Sequence, residues 1–261
     1  MVSIDMSGKI TLVTGAGGGI GAGIAEVFAE AGSKVYIADL NVAAAEACSS
    51  ALNEKGYLTE FIRVDVTSME SIKSMVDRVI LEEGRIDNLV TCTGIMYSKP
   101  FMETTSEELQ KTLDINLIST NNTCQEVLKH MIPRGYGRIL NVASASSRKG
   151  SALCTHYSTS KFAVVGLTQG LALTTAKLGI RVNAVCPGFV ETQIFRKLYQ
   201  GVAESKGCTY EEAVATALAE IPMGRPQTPK DIGNACLFLC SDLSENITGQ
   251  ALNVDGALRM N

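Results

Sequence analysis

The stretch Lys9-Ile10-Thr11-Leu12-Val13-Thr14-Gly15-Ala16-Gly17-Gly18-Gly19-Ile20-Gly21 decides how this chain is read. Lys9 to Val13 is a short β-rich run, and the pattern past Gly21 is helical through about Glu30. A strand, a glycine loop and a helix in that order let the main chain turn sharply and approach a ligand closely. The helix start then presents free amides and the positive end of its dipole, which suits the pyrophosphate of a dinucleotide. About 20 residues past the loop, Asp39 ends the strand-like run Lys34 to Ala38. A carboxylate there accepts hydrogen bonds from the adenosine ribose hydroxyls and repels a 2′-phosphate. Neither Leu40 after it nor Gly18 in the loop offers a basic side chain, so the expected cofactor is NAD.

The alternation continues outward from this unit. Strand-like runs at 59–64, 88–91, 138–142, 181–185 and 250–254 are separated by helical patterns at 42–55, 68–83, 106–131 and 155–178. Thr105-Ser106-Glu107-Glu108 is a capping pattern that opens the third of these helices, and Pro133 with Gly135 and Gly137 is expected to stop it. The fold class expected is α/β, a single-domain doubly wound parallel sheet, Rossmann-like, over residues 1–261. The rhythm breaks between Pro187 and Pro229, where helical pattern runs from Thr192 to Glu220 without a strand. A long excursion in a compact sheet domain is usually functional, and 189–222 is expected to be a mobile substrate lid.

Composition removes several alternatives. The chain has 261 residues, 46% of them apolar, and 23 basic against 27 acidic residues for a net charge of -4. No segment concentrates Lys or Arg, so no nucleic acid and no anionic membrane is expected as a partner. The N-terminal MVSIDMSGK has no apolar leader, and no apolar run approaches a membrane span. The 8 cysteines are scattered without a CxxC, and there are 2 histidines, which together disfavour a metal site and a disulfide framework. Reduced thiols and a cytoplasmic location are expected. Cys236 and Cys240, one helical turn apart, read as small core residues.

A second constellation lies in the later half. Tyr157-Ser158-Thr159-Ser160-Lys161 falls within a helical pattern, and residues four apart share a face, so Lys161 stands beside Tyr157. A free tyrosine has a pKa of about 10, and a close ammonium is expected to lower it toward a useful range. Ser144 follows the 138–142 strand at a carboxyl end, where open α/β sheets place their ligands. Its hydroxyl can hold a substrate oxygen while the tyrosine moves the proton. Ser146 and Ser147 are neighbouring alternatives.

Taken together, Thr14-Gly15 through Gly21, Asp39, Asp65-Val66, Asn116, Ser144, Tyr157, Lys161 and Pro187-Gly188 resemble the short-chain dehydrogenase/reductase family in order and spacing. Thr248-Gly249-Gln250 and Val254-Asp255-Gly256 look like that family's last strand. The resemblance spans essentially the whole chain. It implies Tyr157 as catalytic acid/base, Ser144 as the group that polarises the carbonyl or alcohol, and Lys161 on the nicotinamide ribose. It also implies Asn116 holding a water in the proton path by interrupting its helix. The implied cofactor contacts are Gly15, Gly19, Ile20, Gly21, Asp39, Leu40, Asp65, Val66, Gly94, Tyr157, Lys161, Pro187, Gly188, Val190 and Thr192. Asp65 and Val66 would meet the adenine, and Val190 and Thr192 the nicotinamide carboxamide. One departure is visible: the family's Asn-Asn-Ala-Gly is here Thr91-Cys92-Thr93-Gly94, which puts local cofactor contacts in question.

The activity so implied is interconversion of a secondary alcohol and its ketone, on a polyol or small diol. A 3-oxoacyl thioester or steroid reductase is the alternative. Two rivals are a non-catalytic dinucleotide-binding sensor, which the complete catalytic set disfavours, and a sugar-nucleotide epimerase, for which 261 residues leave little room. Apolar residues on more than one face of the helices at 106–131 and 155–178 (Leu113, Leu117, Val127, Phe162, Val165, Leu171) point to subunit contact. A homotetramer is expected, with a dimer as the fallback.

Overall fold

The computed structural model describes residues 4–260. Seven strands form one parallel sheet in the order β3-β2-β1-β4-β5-β6-β7. They are β1 (Ile10–Thr14), β2 (Lys34–Asp39), β3 (Thr59–Arg63), β4 (Asn88–Thr91), β5 (Gly137–Val142), β6 (Ile180–Pro187) and β7 (Ala251–Val254). The strand order reverses between β1 and β4, and this switch opens a crevice at the carboxyl ends of the strands.

Helices cover both faces, which is why β1, β4, β5 and β6 are buried along their whole length and read as apolar runs rather than as alternation. Alternate strand residues still divide between two cores. Leu12, Tyr36, Leu89 and Ile139 pack with Met75 of α3 (Met69–Glu83), Val127 of α5 (Ser119–Arg134) and Ala172 of α6 (Thr155–Thr175). Val13, Ile37, Val90 and Leu140 pack with Phe28 of α1 (Gly19–Glu30), Leu52 of α2 (Val42–Asn53) and Ile232 of α9 (Pro229–Cys240). Cys236 and Cys240 are buried in this second core, and all eight cysteines are free thiols. Among the described residues no helix is long and apolar enough to cross a membrane.

The expected helix 106–131 runs without a gap but changes its winding midway. It divides into α4 (Ser106–Leu113), a π-helical stretch Asp114–Ile118 and α5, the last running through Pro133 to Arg134. Pro133 lies in the final turn, and Gly135 at φ +63° closes the helix in the left-handed region. The cap at its start is as expected: Thr105 and Glu108 bond each other's main-chain amides. The run 192–220 is likewise two helices, α7 (Gln193–Lys206) and α8 (Tyr210–Ala219), with Gly207 at φ +64° between them. They carry a small core of their own, built on Phe195, Tyr199, Ala203, Ala213 and Ala217. Of the apolar positions named on the helices at 106–131 and 155–178, one face of which must cover the sheet, Val127 and Val165 belong to this subunit's core. Phe162 is exposed, as is Leu173 on the same helix.

Candidate active site

At the switch point the loops after β1, β2, β3, β4, β5 and β6 line an open cavity of about 660 Å³. The glycine loop forms one wall. Gly15 holds φ +67°, and a Cβ on it would lie 2.9 Å from the Thr93 main chain. A Cβ on Gly21 would fall 2.2 Å from the Gly15 carbonyl oxygen, so helix α1 can start this close to its own loop only without a side chain there. No side chain caps α1, whose N-cap is Gly18, and its first amides stay available to an anion. This cradle fits a dinucleotide diphosphate.

Asp39 stands at the end of β2 beside that loop. Its Oδ2 accepts the Gly17 amide at 2.9 Å and its Oδ1 the Asn41 amide at 2.9 Å. The carboxylate therefore orders the loop and still lines the cavity. Asp65 accepts from the hydroxyl and the amide of Thr67, and these bonds hold its carboxyl below the usual carboxylate range. Among the described residues that line the cavity, Lys161 is the one basic side chain.

At the other end, Ser144 leaves β5 in extended conformation, and its Oγ accepts the Ser146 amide at 3.1 Å. Tyr157 faces it from the first turns of α6. Burial pushes the Tyr157 phenol up to about 12, with the Ser144 hydroxyl pulling the other way. The expected lowering by Lys161 is not what the geometry gives. The Lys161 Nζ lies 5.7 Å from the Tyr157 ring centroid and donates to the Val142 carbonyl at 2.8 Å. Burial also pulls Lys161 down to about 8. Both groups are thus held toward their neutral forms, because burial disfavours the charged form of each.

Gly15, Gly19, Ile20, Gly21, Asp39, Leu40, Asp65, Val66, Gly94, Ser144, Tyr157, Lys161, Pro187, Gly188, Val190 and Thr192 all line this one cavity. Asn116 does not. It sits fully buried in the π-helical stretch, which is the interruption of the helix, and its side chain is fully engaged. Nδ2 donates to the Ile95 carbonyl at 3.0 Å and to Ser160 at 2.9 Å, and Oδ1 accepts the Ile95 amide at 2.8 Å. Asn116 thereby ties the exit of β4 to α6. Its main-chain carbonyl accepts from Thr120 at 3.0 Å.

The departure at 91–94 is accommodated in two ways. Thr91 Oγ1 donates to Asn141 Oδ1 at 2.8 Å, and Asn141 donates on to Thr168 at 3.0 Å, which joins β4, β5 and α6. The Cys92 amide bonds the β1 carbonyl of Thr14 at 3.2 Å. Ile95, Met96 and Cys154 also line the cavity and were not singled out from the sequence. They carry no motif, and only the convergence of the β4 and β5 loops brings them there.

The chain belongs to the short-chain dehydrogenase/reductase family. A family model described as enoyl-(acyl carrier protein) reductase matches residues 15–258. Among curated relatives, the chain is 36% identical over 257 residues to a 3-oxoacyl-[acyl-carrier-protein] reductase of Chlamydia pneumoniae, covering 98% of this chain and 99% of that one. Among solved structures, an NAD+-bound xylitol dehydrogenase superposes with TM-score 0.92 at 32% identity, over 96% of this chain and 99% of its own. A variant of actinorhodin polyketide ketoreductase with NADPH superposes with TM-score 0.93 at 32% identity, over 98% and 99%. Membership makes the chain an oxidoreductase acting on CH-OH groups.

Proposed function

We propose that this protein interconverts a secondary alcohol and its ketone with NAD as cofactor. The observation that carries the reading is the placement of Ser144, Tyr157 and Lys161 at one end of the cavity whose other end is the uncapped helix α1 and Asp39. When bound, the nicotinamide supplies or accepts the hydride. Tyr157, kept neutral by burial, donates its phenolic proton to the ketone oxygen in reduction and takes the alcohol proton in oxidation. The Ser144 hydroxyl donates to the same oxygen and orients it. Lys161, anchored on the Val142 carbonyl, is placed to donate to the nicotinamide ribose. The π-helical turn at Asn116 fixes the loop between β4 and α4, and a water in the proton path would sit against that turn.

Asp39 favours NAD over NADP, because a 2′-phosphate there would meet a carboxylate with no cavity-lining cation beside it. The substrate is a small diol or polyol, in keeping with the xylitol dehydrogenase neighbour. A 3-oxoacyl thioester is a second reading, favoured by the apolar residues of the cavity and by the Chlamydia relative. Segment 189–222 acts as a lid over the substrate. The base of the segment is anchored where the Gln227 amide donates to the Phe189 carbonyl at 2.9 Å. The exposed Phe162 and Leu173 on α6 belong to a contact between subunits of a homotetramer, and the protein works in the cytoplasm.

Tyr157→Phe tests the reaction. Turnover should fall by about a hundredfold to ten-thousandfold while the dissociation constant for NAD stays unchanged. Near-normal turnover in that variant would remove Tyr157 from the chemistry. The ratio of kcat/KM for NAD over NADP should be about 100. Asp39→Ala should collapse the ratio, and a wild-type preference for NADP would refute the cofactor reading.

A further inference from the structure

The reading of Tyr157 and Ser144 as the groups that meet the reacting oxygen leaves open what surrounds the rest of the substrate. The inference here rests on that reading. Strand order separates the two ends of the cavity. Asp39 and Asp65 follow β2 and β3, whereas Ser144 follows β5, three strands from β2. At about 4.8 Å per strand that is about 14 Å.

Charge is distributed unevenly along that distance. Of the described residues lining the cavity, Asp39, Asp65 and Lys161 carry charge. The two carboxylates belong to the far end. Lys161 is buried and engaged with the Val142 carbonyl at 2.8 Å, and its Nζ lies 3.5 Å from where a Gly94 Cβ would be. Of the cations on segments flanking the substrate end, Lys99 and Arg196 are paired with Glu108 at 2.7 Å and Glu191 at 3.2 Å, Arg148 bonds Asn253 at 2.9 Å, and Lys149 and Lys197 are exposed. None of these lines the cavity. A phosphate or carboxylate on the substrate would therefore give up its water without gaining a partner.

The uncharged wall is also mostly apolar. Ile95, Met96, Cys154, Phe189, Phe195 and Leu198 supply it from three separate segments. Phe195 is braced from behind, with its ring centroid 4.6 Å from Tyr199 and 6.0 Å from Phe189. Thr93 and Thr192 line the cavity against the glycine loop, where the Thr93 main chain would meet a Gly15 Cβ at 2.9 Å and Thr192 Cγ2 a Gly19 Cβ at 3.3 Å. Apart from Ser144 and Tyr157, which hold the reacting oxygen, the remaining polar side chains at this end are Ser146 and the exposed Gln193. They can serve one or two further hydroxyls but not a chain of them, and each unserved hydroxyl is penalised on burial.

We infer that the site takes an uncharged secondary alcohol or ketone with a mainly apolar skeleton beyond the reacting carbon and at most one or two added hydroxyls. This narrows the diol-or-polyol reading to its least hydroxylated end and excludes phosphorylated and carboxylated substrates.

The test is a comparison of kcat/KM for 2-heptanol, 1,2-heptanediol, xylitol and sorbitol 6-phosphate, with NAD and with NADP. Heptanol or heptanediol should exceed xylitol and the phosphate ester by at least about tenfold. In Leu198→Asn and Met96→Asn that ratio should shrink while NAD affinity, read by fluorescence titration, is unchanged. Turnover of xylitol or sorbitol 6-phosphate equal to that of heptanol overturns the inference and leaves the reaction intact. No turnover of any of the four with either cofactor, nor of the corresponding ketones, sinks the reaction reading instead. Ligand binding then still decides the inference: heptanol but not xylitol should raise the Tm of the NAD-saturated protein, and the reverse would refute it.

Discussion

The glycine loop and the 189–222 segment face each other across one cavity, and they are built on different principles. The loop is specified by the main chain. Gly15 and Gly21 are dictated by approaches of 2.9 and 2.2 Å that no side chain survives, and the strands beneath are buried end to end. The segment is specified by side chains. Its helices α7 and α8 pack on a core of five buried residues, Phe195, Tyr199, Ala203, Ala213 and Ala217. It meets the loop after β4 where Ser98 approaches Gly201, whose Cβ would lie 3.3 Å from Ser98 Oγ. A wall made of backbone tolerates no variation in what it binds, whereas a wall made of side chains on a separate small core can be repacked. The first suits an invariant cofactor and the second a variable substrate.

The largest effect expected from this contrast is on the backbone wall. Gly21→Ala should destabilise the fold by about 1–3 kcal/mol through overpacking and weaken NAD binding by about a hundredfold or more. Calorimetric titration with NAD beside a urea melt separates the two. A variant that binds NAD normally would show that the close approach is not what shapes the cradle.

An intermediate effect belongs to the chemical centre between the walls. The Lys161 amine is pulled down to about 8 in the folded protein from 10.5. Between those values the unfolded chain holds a proton that the native state lacks, so stability should rise with pH across that window. The slope is about 1.4 kcal/mol per pH unit from this one group. Lys161→Met should lack that rise in denaturation series at pH 8, 9 and 10 without nucleotide, besides losing turnover. Parallel curves for the two proteins would mean the amine is not desolvated.

The smallest effect should come from the side-chain wall. Phe195→Leu and Tyr199→Phe should reorder a panel of alcohols by less than about tenfold and leave NAD affinity unchanged. Hydrogen exchange in 189–222 should slow when NAD and substrate are both present. Equal exchange in the two states, with an unaltered ranking, would make the segment a fixed wall rather than a lid.

How much of this was legible in the sequence follows the same division. Strand runs and the glycine loop could be read because burial on both faces and positive φ leave direct traces in residue type. The cofactor-contact positions that line the cavity came with the family resemblance, whereas Ile95, Met96 and Cys154, which carry no motif, did not. The helix irregularity at 114–118 was legible only through the family resemblance at Asn116; what fixes it here, Asn116 bonding Ile95 across 21 residues, is a contact that only the folded chain creates. Nor could spacing show that Lys161 would turn to the Val142 carbonyl, leaving burial to set the Tyr157 phenol. Helix apolarity alone could not tell the sheet-covering Val127 and Val165 from the exposed Phe162, because a layer between sheet and solvent needs apolar residues over a wide arc.

Asp39 carries one last consequence. Its carboxylate already satisfies the Gly17 and Asn41 amides before any ribose arrives. The phosphate-binding turn is therefore folded in advance, and the arriving nucleotide does not have to freeze a floppy loop. The ribose hydroxyls, however, must share or displace those bonds, so part of what they offer is exchanged rather than gained. A latch of this kind trades some tightness for speed. It favours a cofactor that docks into a finished groove, leaves once oxidised or reduced, and makes way for the next.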